Sequence, residues 1–180
     1  TRSIVEDSYL VMEAAMREKA RLCDISTSEI YGGGRDGYCS ENDSKIITSK
    51  VSVRLEYATA KLASEIAMVN MARVSDLDVV IVRPFNIAGP RQSGKGGFVL
   101  PRFIQQALAN EPITVYGDGS MVRAFTHVVD MVEGIVRTAR VGKRGEPYNI
   151  GNPANKISIL ELAQRVVAIC ESKSRIDLVD

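Results

Sequence analysis

Apolar residues recur along this chain with two different spacings, and their alternation predicts an α/β protein. A spacing of three and four residues, typical of a helix with one buried face, runs through residues 3–19, 51–73, 101–109, 128–140 and 158–171. Short apolar runs between these segments predict strands at residues 21–26, 78–82, 112–116 and 147–150, with extended chain at 121–126. The run Val79-Val80-Ile81-Val82 has no polar break, which is typical of a strand covered on both faces in a parallel sheet.

Two of these helices are predicted to begin with a capping box, in which a serine and a glutamate three residues later satisfy the first backbone N–H groups. Ser3 and Glu6 form one such pattern, and Ser158 and Glu161 form the other.

The first two predicted strands are joined by a long helix, which indicates a right-handed crossover between parallel strands. Ligands bind such sheets beyond the carboxyl ends of the strands. Thr27 and Asn86 both follow strand ends, so we expect them on one rim with Tyr57 of the joining helix. We further expect Arg123 to face this cleft from a second lobe.

The composition suits a globular protein and argues against several other classes. Apolar residues make up 45% of the 180-residue chain, and the net charge of +1 gives no electrostatic argument for binding nucleic acid or an anionic membrane. The longest apolar runs, of four or five residues, are too short to span a bilayer, and the N-terminus lacks a signal-peptide layout. The chain begins at Thr1 rather than Met, which we interpret as processing or a fragment.

The cysteines and the histidine limit the chemistry further. Cys23, Cys39 and Cys170 are scattered, odd in number and outside any C-x-x-C pattern, so we expect reduced thiols and a cytoplasmic protein. His127 is the only histidine, which excludes a multi-histidine metal site. We interpret His127 as a core residue that follows a strand, and we predict no metal ligands.

Tyr57 and Lys61 lie four residues apart in the helix predicted over residues 51–73, so their side chains share one face. A free tyrosine titrates near about pH 10 and is a poor base at neutral pH, but a cation held close lowers its pKa. The pair can therefore serve as a general acid/base at neutral pH. The alternative is an ordinary surface helix with a half-buried tyrosine and a solvated lysine.

Two glycine-rich segments imitate nucleotide-binding motifs. Residues 32–37 satisfy G-x-G-x-x-G literally, but a true dinucleotide fingerprint opens a helix after a strand, whereas loop-like residues follow here. Residues 89–96 come within one residue of a P-loop, since Gly96 replaces the Ser/Thr that would hold magnesium. A phosphate site there would make the chain a nucleotide hydrolase that depends on Lys95.

Six motifs follow one another in a recognisable order: Ser26-Thr-Ser-Glu-Ile-Tyr-Gly32, Tyr57-x-x-x-Lys61, Arg83-Pro-Phe-Asn86, Gly89-Pro-Arg91, Val115-Tyr-Gly-Asp-Gly119 and Arg123-Ala-Phe-Thr-His-Val128. With these motifs the chain resembles the extended short-chain dehydrogenases, and within them the NAD-dependent nucleotide-sugar epimerases, dehydratases and decarboxylases. The resemblance covers nearly the whole chain. It implies a partial Rossmann-like parallel sheet at residues 1–90 and a smaller α/β substrate-binding lobe at 91–180, interleaved with the sheet.

The resemblance also implies catalytic roles. Thr27 corresponds to the hydroxyl that hydrogen-bonds the sugar oxygen being oxidised, and Tyr57 to the base that removes its proton as hydride leaves for NAD. Lys61 corresponds to the lysine that binds the nicotinamide ribose and tunes the tyrosine. Glu29 falls where dehydratases and decarboxylases carry a second acid/base residue; alternatively it is a solvated loop carboxylate.

Binding residues follow from the same resemblance. Pro84 joins Tyr57 and Lys61 on the cofactor side. The substrate-binding positions are Ser28, Asn86, Arg91, Val99, Tyr116 and Arg123. Among these, Asn86 and Arg123 correspond to residues that hold the diphosphate, and Tyr116 lies beside the nucleotide base. Alternatively, Arg123 is a surface strand charge paired with Asp118 or Asp130.

The family's strand, glycine loop and helix that seat the NAD pyrophosphate do not occur in this sequence. We therefore expect that this chain alone does not bind NAD tightly, and that the strand at 20–26 has an unpaired edge. Since related enzymes dimerise through two helices, we expect a homodimer through residues 3–19 and 51–73.

Two further interpretations of function remain open besides the hydrolase. The chain is an enzyme that acts on a nucleotide-diphosphate sugar through transient oxidation by NAD, with Tyr57, Lys61 and Thr27 in the redox step. Alternatively, it is a non-catalytic fragment that keeps the nucleotide-sugar-binding part and a surface for oligomerisation.

Overall fold

Five α-helices and nine short strands make up the part of the chain that the computed structural model describes, residues 2–32, 37–45, 47, 52–94 and 97–180. The helices are α1 (Arg2–Glu18), α2 (Val53–Val74), α3 (Val99–Leu108), α4 (Val128–Val141) and α5 (Ile159–Ile169). The strands are β1 (Leu22–Ile25), β2 (Val79–Pro84), β3 (Ile87–Ala88), β4 (Ile113–Tyr116), β5 (Val122–Ala124), β6 (Thr126–His127), β7 (Pro147–Ile150), β8 (Lys156–Ser158) and β9 (Ile176–Val179). The predicted α/β class with a parallel sheet is confirmed.

The helices begin and end within two residues of the predicted positions. Ser158 caps α5 as expected, since its Oγ accepts a hydrogen bond from the Glu161 backbone N–H at 3.1 Å. The capping box at Ser3 is wrong, because α1 already includes Arg2 and Ser3 lies inside the helix. Strands β3, β8 and β9 were not predicted, because strands of two to four residues show little periodicity.

The chain divides into two units built from interleaved segments. The first contains Thr1–Phe85 and Val129–Gly151, and the second contains Asn86–Val128 and Asn152–Asp180. The first boundary therefore lies at Phe85 rather than at residue 90, and α4 and β7 return to the first unit.

A three-stranded parallel sheet forms the centre of the first unit, in the order β1-β2-β7. Leu22 of β1 lies opposite Val79 of β2, and Val82 of β2 lies opposite Tyr148 of β7. Residues 79–82 are fully buried, as their unbroken apolar run predicts. Among the described strands, β1 pairs only with β2, so its other edge is unpaired, as expected.

Helices α1 and α2 pack together beside this sheet, as predicted. Their shared core combines small and flexible side chains, which allow close approach, with apolar residues at the start of β2; its buried members are Met12, Ala15, Met68, Ala72, Leu77, Val79 and Ile81. This packing holds α2 in place and thereby positions the side chains on its other faces.

The second unit has its own core under three two-stranded sheets. β3 pairs with β6 and β4 with β9 in parallel, whereas β5 and β8 are antiparallel. Helices α3 and α5 pack over β4, and Phe103, Ile113 and Ala163 are fully buried between them. The turn after β4 needs a glycine at 119, where φ is 71° and a Cβ would lie 2.8 Å from the Leu160 Cβ.

In the described part of the chain, no helix is both long enough and apolar enough to cross a membrane.

Candidate active site

One face of α2 carries three polar side chains at successive turns: Tyr57, Lys61 and Glu65. Their exposure decreases along the helix, because Tyr57 is 40% exposed, Lys61 is partly buried and Glu65 is 3% exposed. The face therefore passes from solvent into the core of the first unit. A residue at the outer end can meet a ligand while its neighbours are held by the protein.

Thr27 lies against the outer end of this face. It follows β1 in extended conformation and caps a short 3₁₀ turn, Ser28–Tyr31, where its Oγ1 accepts a hydrogen bond from the Glu29 backbone N–H at 3.2 Å. Thr27 is buried, and its side chain lies near enough to the Tyr57 hydroxyl to lower the pKa of that phenol. The structure thus brings together the hydroxyl groups of Thr27 and Tyr57, with Tyr57 open to solvent rather than enclosed in a dry core.

Lys61 is held at the end of β1. Its Nζ donates a hydrogen bond to the Ile25 carbonyl at 2.7 Å. The side chain therefore lies on the same helical face as Tyr57, as predicted from the spacing of four.

The pKa of Tyr57 is raised, whereas the sequence alone suggested that a neighbouring cation would lower it. Burial is the main cause, and the negative charge of Glu29 adds to it. The hydrogen bond from Thr27 acts in the opposite direction, and the charge of Asp24 raises the pKa further. In this state Tyr57 is a proton donor at neutral pH, so its action as a base requires additional positive charge or removal of negative charge nearby.

Glu29 lies on the short turn that follows Thr27, where its charge acts on Tyr57. It occupies the first turn of the 3₁₀ segment, half-buried, and its carboxylate influences Tyr57 electrostatically. The Arg54 Nε lies 3.8 Å from the Glu29 Oε1, but Arg54 is largely exposed, so this ion pair is weak. Ser28, the neighbouring residue, is partly buried on the same turn.

A buried ion pair between β2 and α2, which was not predicted from the sequence, joins two of the elements that carry the site. Arg83 of β2 donates to Glu65 of α2 through Nη2 at 2.6 Å and through Nε at 3.1 and 3.2 Å. Burial alone would lower the pKa of Arg83, but the hydrogen bond and charge of Glu65 raise it, so the guanidinium stays charged. A basic residue ending an apolar strand was the only signal for this pair in the sequence.

The same guanidinium reaches the 3₁₀ turn. Arg83 Nη1 donates to the Tyr31 hydroxyl at 2.7 Å, and that hydroxyl donates to Asn149 Oδ1 on β7 at 2.8 Å. Arg83 therefore connects the turn that begins at Thr27 with the helix that carries Tyr57. The neighbouring Pro84 is partly buried at the end of β2 and pairs with Ile150.

In the second unit, Asn86 lies beside β5, the strand that contains Arg123. Asn86 Nδ2 donates to the Ala124 carbonyl at 3.2 Å, and the Asn86 carbonyl accepts from the Thr126 N–H at 3.0 Å. Arg123 is partly buried and donates through Nη1 to the Val122 carbonyl at 3.0 Å. The Asn86 amide, on the chain after β2, and the Arg123 guanidinium, on β5, therefore belong to neighbouring backbone segments.

Tyr116, at the end of β4, is 64% exposed and forms part of an aromatic–cation pair. The Arg102 guanidinium lies 4.9 Å from the centre of its ring and donates through Nη2 to the Thr114 carbonyl at 3.0 Å. An exposed ring backed by a cation is a suitable surface for stacking a nucleotide base. Arg102 was not identified from the sequence.

The remaining predicted residues of this unit lie on loops and at a helix start. Arg91 is exposed, has φ of 65° and borders a cavity of about 250 Å³ together with Gly89 and Gln92. Val99 is the first residue of α3 and packs on the core of the second unit. His127 is exposed on β6, so its interpretation as a core residue is wrong; the alternation of β6 buries Thr126 instead.

Neither of the two glycine-rich segments that resemble nucleotide-binding motifs can be described completely. Residues 33–36 of the first, and Lys95 and Gly96 of the second, lie outside the described residues. Within the described part of the second motif, Gly94 lies against α3, where a Cβ would be 2.1 Å from the Gln105 Nε2. The contact is with the movable end of the Gln105 side chain, so it does not by itself require a glycine at position 94.

Residues 2–151 match the sequence profile of the "NAD dependent epimerase/dehydratase family". The chain belongs to this family. The match includes the Thr27, Tyr57 and Lys61 positions and ends at the boundary of β7, so it covers the whole sheet of the first unit.

Within this family, the chain is similar to sugar-nucleotide decarboxylases. It is 38% identical over 167 residues to a UDP-N-acetyl-alpha-D-glucosaminuronate decarboxylase of Bacillus cytotoxicus, a match that covers 92% of this chain and 51% of the relative. It is 36% identical to UDP-glucuronic acid decarboxylase 4 of Arabidopsis thaliana, covering 91% of this chain and 36% of that protein. The chain thus spans about half, or less, of the length of these relatives.

Solved structures of epimerases and dehydratases share the fold. The UDP-glucuronic acid 4-epimerase of Bacillus cereus, crystallised with UDP-glucuronic acid and NAD, aligns with a TM-score of 0.85 and 28% identity over 98% of this chain and 54% of its own. A dTDP-glucose 4,6-dehydratase of Bacillus anthracis in complex with NAD aligns with a TM-score of 0.87 and 25% identity over 99% of this chain and 55% of its own.

The polar groups at the end of β1 meet part of what NAD, the cofactor for which the family is named, requires. The Lys61 ammonium has three N–H groups, of which one goes to the Ile25 carbonyl, and the others can meet ribose hydroxyls. Ser26 Oγ is buried there and has no hydrogen-bond partner among the described residues. These groups fit the nicotinamide ribose, whereas the sequence contains no glycine-rich strand–helix turn for the pyrophosphate.

Proposed function

We propose that this chain carries the sugar-oxidising residues and the nucleotide-sugar-binding residues of an NAD-dependent nucleotide-sugar epimerase, dehydratase or decarboxylase. The observation that carries the proposal is that Thr27, at the end of β1, acts on Tyr57, which shares one face of α2 with a Lys61 bonded to the same strand end. A cytoplasmic location is part of it, supported by three scattered cysteines that form no C-x-x-C pattern.

In the proposed reaction Tyr57 accepts the proton of a sugar hydroxyl, while Thr27 hydrogen-bonds the same oxygen and orients it. NAD, when bound, accepts the hydride from the carbon that carries this oxygen. Lys61 binds the nicotinamide ribose and stabilises the phenolate of Tyr57. Since the pKa of Tyr57 is raised here, Tyr57 needs added positive charge nearby before it can act as the base.

Glu29 favours dehydration or decarboxylation over simple 4-epimerisation within this proposal. Its carboxylate acts electrostatically on the Tyr57 phenol. A carboxylate in this place suits a reaction that has one more proton transfer after the oxidation. The relatives named as decarboxylases support this choice.

The second unit is proposed to bind the nucleotide diphosphate. Asn86 and Arg123 present an amide and a guanidinium, which suit diphosphate oxygens, and Arg91 adds a further positive charge. Tyr116 with Arg102 is proposed to stack the base, and Val99 to line the nucleotide. Ser28, which belongs to the first unit, is proposed to bind the substrate there. Solved relatives named for their UDP-glucuronic acid and dTDP-glucose chemistry support this ligand class.

A non-catalytic role for this chain on its own is the second candidate, favoured by the missing pyrophosphate-binding turn. Loss of those contacts weakens NAD binding by several factors of ten. Each factor of ten corresponds to about 1.4 kcal/mol of binding free energy. We expect the purified 180-residue protein to contain no NAD and to show no turnover, yet to bind UDP weakly. Calorimetric titrations with NAD and with UDP measure both expectations.

The same titrations decide between outcomes. Arg123→Gln should weaken UDP binding about tenfold or more, the usual effect of losing a hydrogen bond to a charged group, whereas Arg165→Gln on the exposed face of α5 should not. Micromolar or tighter binding of NAD would contradict the expected loss of the cofactor. Absence of UDP binding would contradict the proposed ligand class.

A homodimer through α1 and α2 is also proposed. Both helices expose large apolar side chains that the first unit leaves uncovered, among them Leu10 on α1 and Ile66 on α2. We expect a dimer that buries at least about 1,000 Å² and that Leu10→Glu with Ile66→Glu converts to monomers. Sedimentation equilibrium measures this, with Ile169→Glu on exposed α5 as the control. A wild-type monomer at high concentration would contradict the proposal.

A further inference from the structure

Tyr31 ends the 3₁₀ turn that begins after Thr27, and it is only 1% exposed. A tyrosine hydroxyl can both accept and donate a hydrogen bond, and both capacities are used here. The hydroxyl accepts from Arg83 Nη1 at 2.7 Å and donates to Asn149 Oδ1 at 2.8 Å. The ring also stacks on Phe85, with 6.1 Å between the ring centres. The hydroxyl of Tyr31 thus joins the turn to β2 and to β7.

The two partners of this hydroxyl also bind residues 39–45, a segment that follows the turn in the chain. Arg83 Nη1 donates to the Glu41 carbonyl at 3.2 Å, and Asn149 Nδ2 donates to the Cys39 carbonyl at 3.1 Å. The Asn149 backbone N–H donates to Glu41 Oε1 at 2.8 Å, so this carboxylate binds β7 on the edge away from β2. The segment therefore lies near the carboxyl ends of β2 and β7, the end of a parallel sheet at which ligands bind.

The turn is too short to be stable by itself, because a single helical turn forms few bonds for the residues that it orders. It is closed by bonds from the Glu29 N–H to Thr27 Oγ1 and from the Gly32 N–H to the Glu29 carbonyl. At its start, the Ser26 N–H donates to a carbonyl of β2 at 2.7 Å. At its end, the hydroxyl of Tyr31 provides the corresponding attachment to the sheet.

We propose that Tyr31 is a positioning residue for Thr27 and Glu29. Its hydroxyl, held between β2 and β7, keeps the turn that carries these two residues beside the Tyr57 phenol. The ring of Tyr31 fills space in the first unit, whereas the hydroxyl sets the position of the turn. The inference rests on the proposed function, in which Thr27, Glu29 and Tyr57 take part in one reaction.

The same contacts extend to the helix that carries Tyr57. Arg83 donates through Nη2 to Glu65 at 2.6 Å, and Glu65 lies about two turns after Tyr57 in α2. One guanidinium therefore bonds both this helix and the hydroxyl at the end of the turn. Burial raises the pKa of Tyr31, although Arg83 acts to lower it, so the hydroxyl keeps the proton that it donates to Asn149.

Tyr31→Phe in the 180-residue chain tests the proposal, since it removes the hydroxyl and keeps the ring that stacks on Phe85. Amide hydrogen exchange, measured by NMR, should become about tenfold or more faster at Glu29 and Gly32, the usual effect of losing a hydrogen bond to a charged group. Exchange at Ile81, whose N–H is bonded within the sheet, should not change.

The pKa of Tyr57 reports whether the turn still acts on the phenol. It is measured from the ¹³Cζ resonance, which Tyr57→Phe assigns. In Tyr31→Phe this pKa should fall toward its ordinary value of about 10, because the released turn removes the charge of Glu29 from the phenol. The opposing effect of Thr27 is lost as well, but that of Glu29 is the larger.

Tyr148→Phe is the matched control, because it removes a hydroxyl of the same unit that accepts from the Lys143 N–H at 2.7 Å. It should change neither the exchange at the turn nor the pKa of Tyr57. A second variant, Asn149→Val, removes the acceptor of the Tyr31 proton and should accelerate exchange at the same two amides of the turn.

Wild-type exchange at the turn of folded Tyr31→Phe, or an unchanged pKa of Tyr57, would overturn the proposal. Equal acceleration at the turn and in β2 would also overturn it, because the hydroxyl would then stabilise the whole unit rather than position the turn. If Tyr31→Phe does not fold, Asn149→Val decides by the same two measurements. None of them needs NAD, a sugar or turnover, so they report on Tyr31 even if the proposed function fails.

Discussion

Replacing Glu65 by leucine should lower the free energy of unfolding by about 3–5 kcal/mol, the usual effect of removing one partner of a buried ion pair. The reason is that Arg83, only 5% exposed at its side chain, would keep its charge inside the first unit without a carboxylate. The Tyr31 hydroxyl and the Glu41 carbonyl also contact the guanidinium, but neither carries a negative charge. Urea unfolding followed by far-UV circular dichroism measures this loss.

The double variant Glu65→Leu/Arg83→Met should recover most of the loss, because both charges are then removed and apolar volume is kept. The control is Glu161→Gln, which removes an exposed ion pair between Glu161 and Arg165 and should change stability by less than about 1 kcal/mol. A Glu65→Leu variant as stable as the wild-type protein would show that the buried pair contributes little. If the losses of stability measured for Glu65→Leu alone and Arg83→Met alone added up to the loss of the double variant, the two residues would not be coupled. That result would contradict the prediction.

Replacing Tyr57 by phenylalanine should lower kcat by about 10²–10⁴-fold in any longer form of this protein that turns over a nucleotide sugar. The fold should be unaffected, since the phenol is 40% exposed and only its hydroxyl is removed. UDP affinity should not change, because the diphosphate is proposed to bind in the second unit. Steady-state kinetics and calorimetry on the same preparations separate these effects.

The pH dependence of kcat in that longer form should show the direction of the Tyr57 pKa shift. Because the pKa of Tyr57 is raised by burial and by Glu29, the phenolate fraction grows as pH increases toward that pKa, and kcat should rise with it. Glu29→Gln should move the rise to lower pH by removing a negative charge. Tyr9→Phe on exposed α1 is the control and should leave kcat unchanged. A rate that falls with pH over this range would contradict Tyr57 as the base.

The local spacing of apolar residues was sufficient to predict most of the secondary structure. Helices α1 to α5 were predicted within two residues, because each buries one face and the spacing of its apolar residues records this directly. The unbroken run at 79–82 likewise predicted a strand buried on both faces. The family motifs pointed to Thr27, Tyr57 and Lys61 as candidates, because each motif is short and lies within one turn or one helix.

Contacts between distant residues required the tertiary structure. Tyr31 and Asn149 are 118 residues apart, and Arg83 meets Glu65 across 18 residues, so neither pair leaves a periodic trace in the sequence. The exposure of His127 was also misjudged, because a two-residue strand does not show which side faces the core.

The chemistry of the site divides in the same way. The sequence by itself determined which reactive groups the chain has and placed Tyr57 and Lys61 on one helical face, because helical geometry depends only on spacing. The tertiary structure alone decided the direction of the Tyr57 pKa shift and the burial of the Arg83–Glu65 ion pair. These depend on desolvation and on charges such as Glu29, which approach the phenol only when the strand end, the 3₁₀ turn and α2 are assembled.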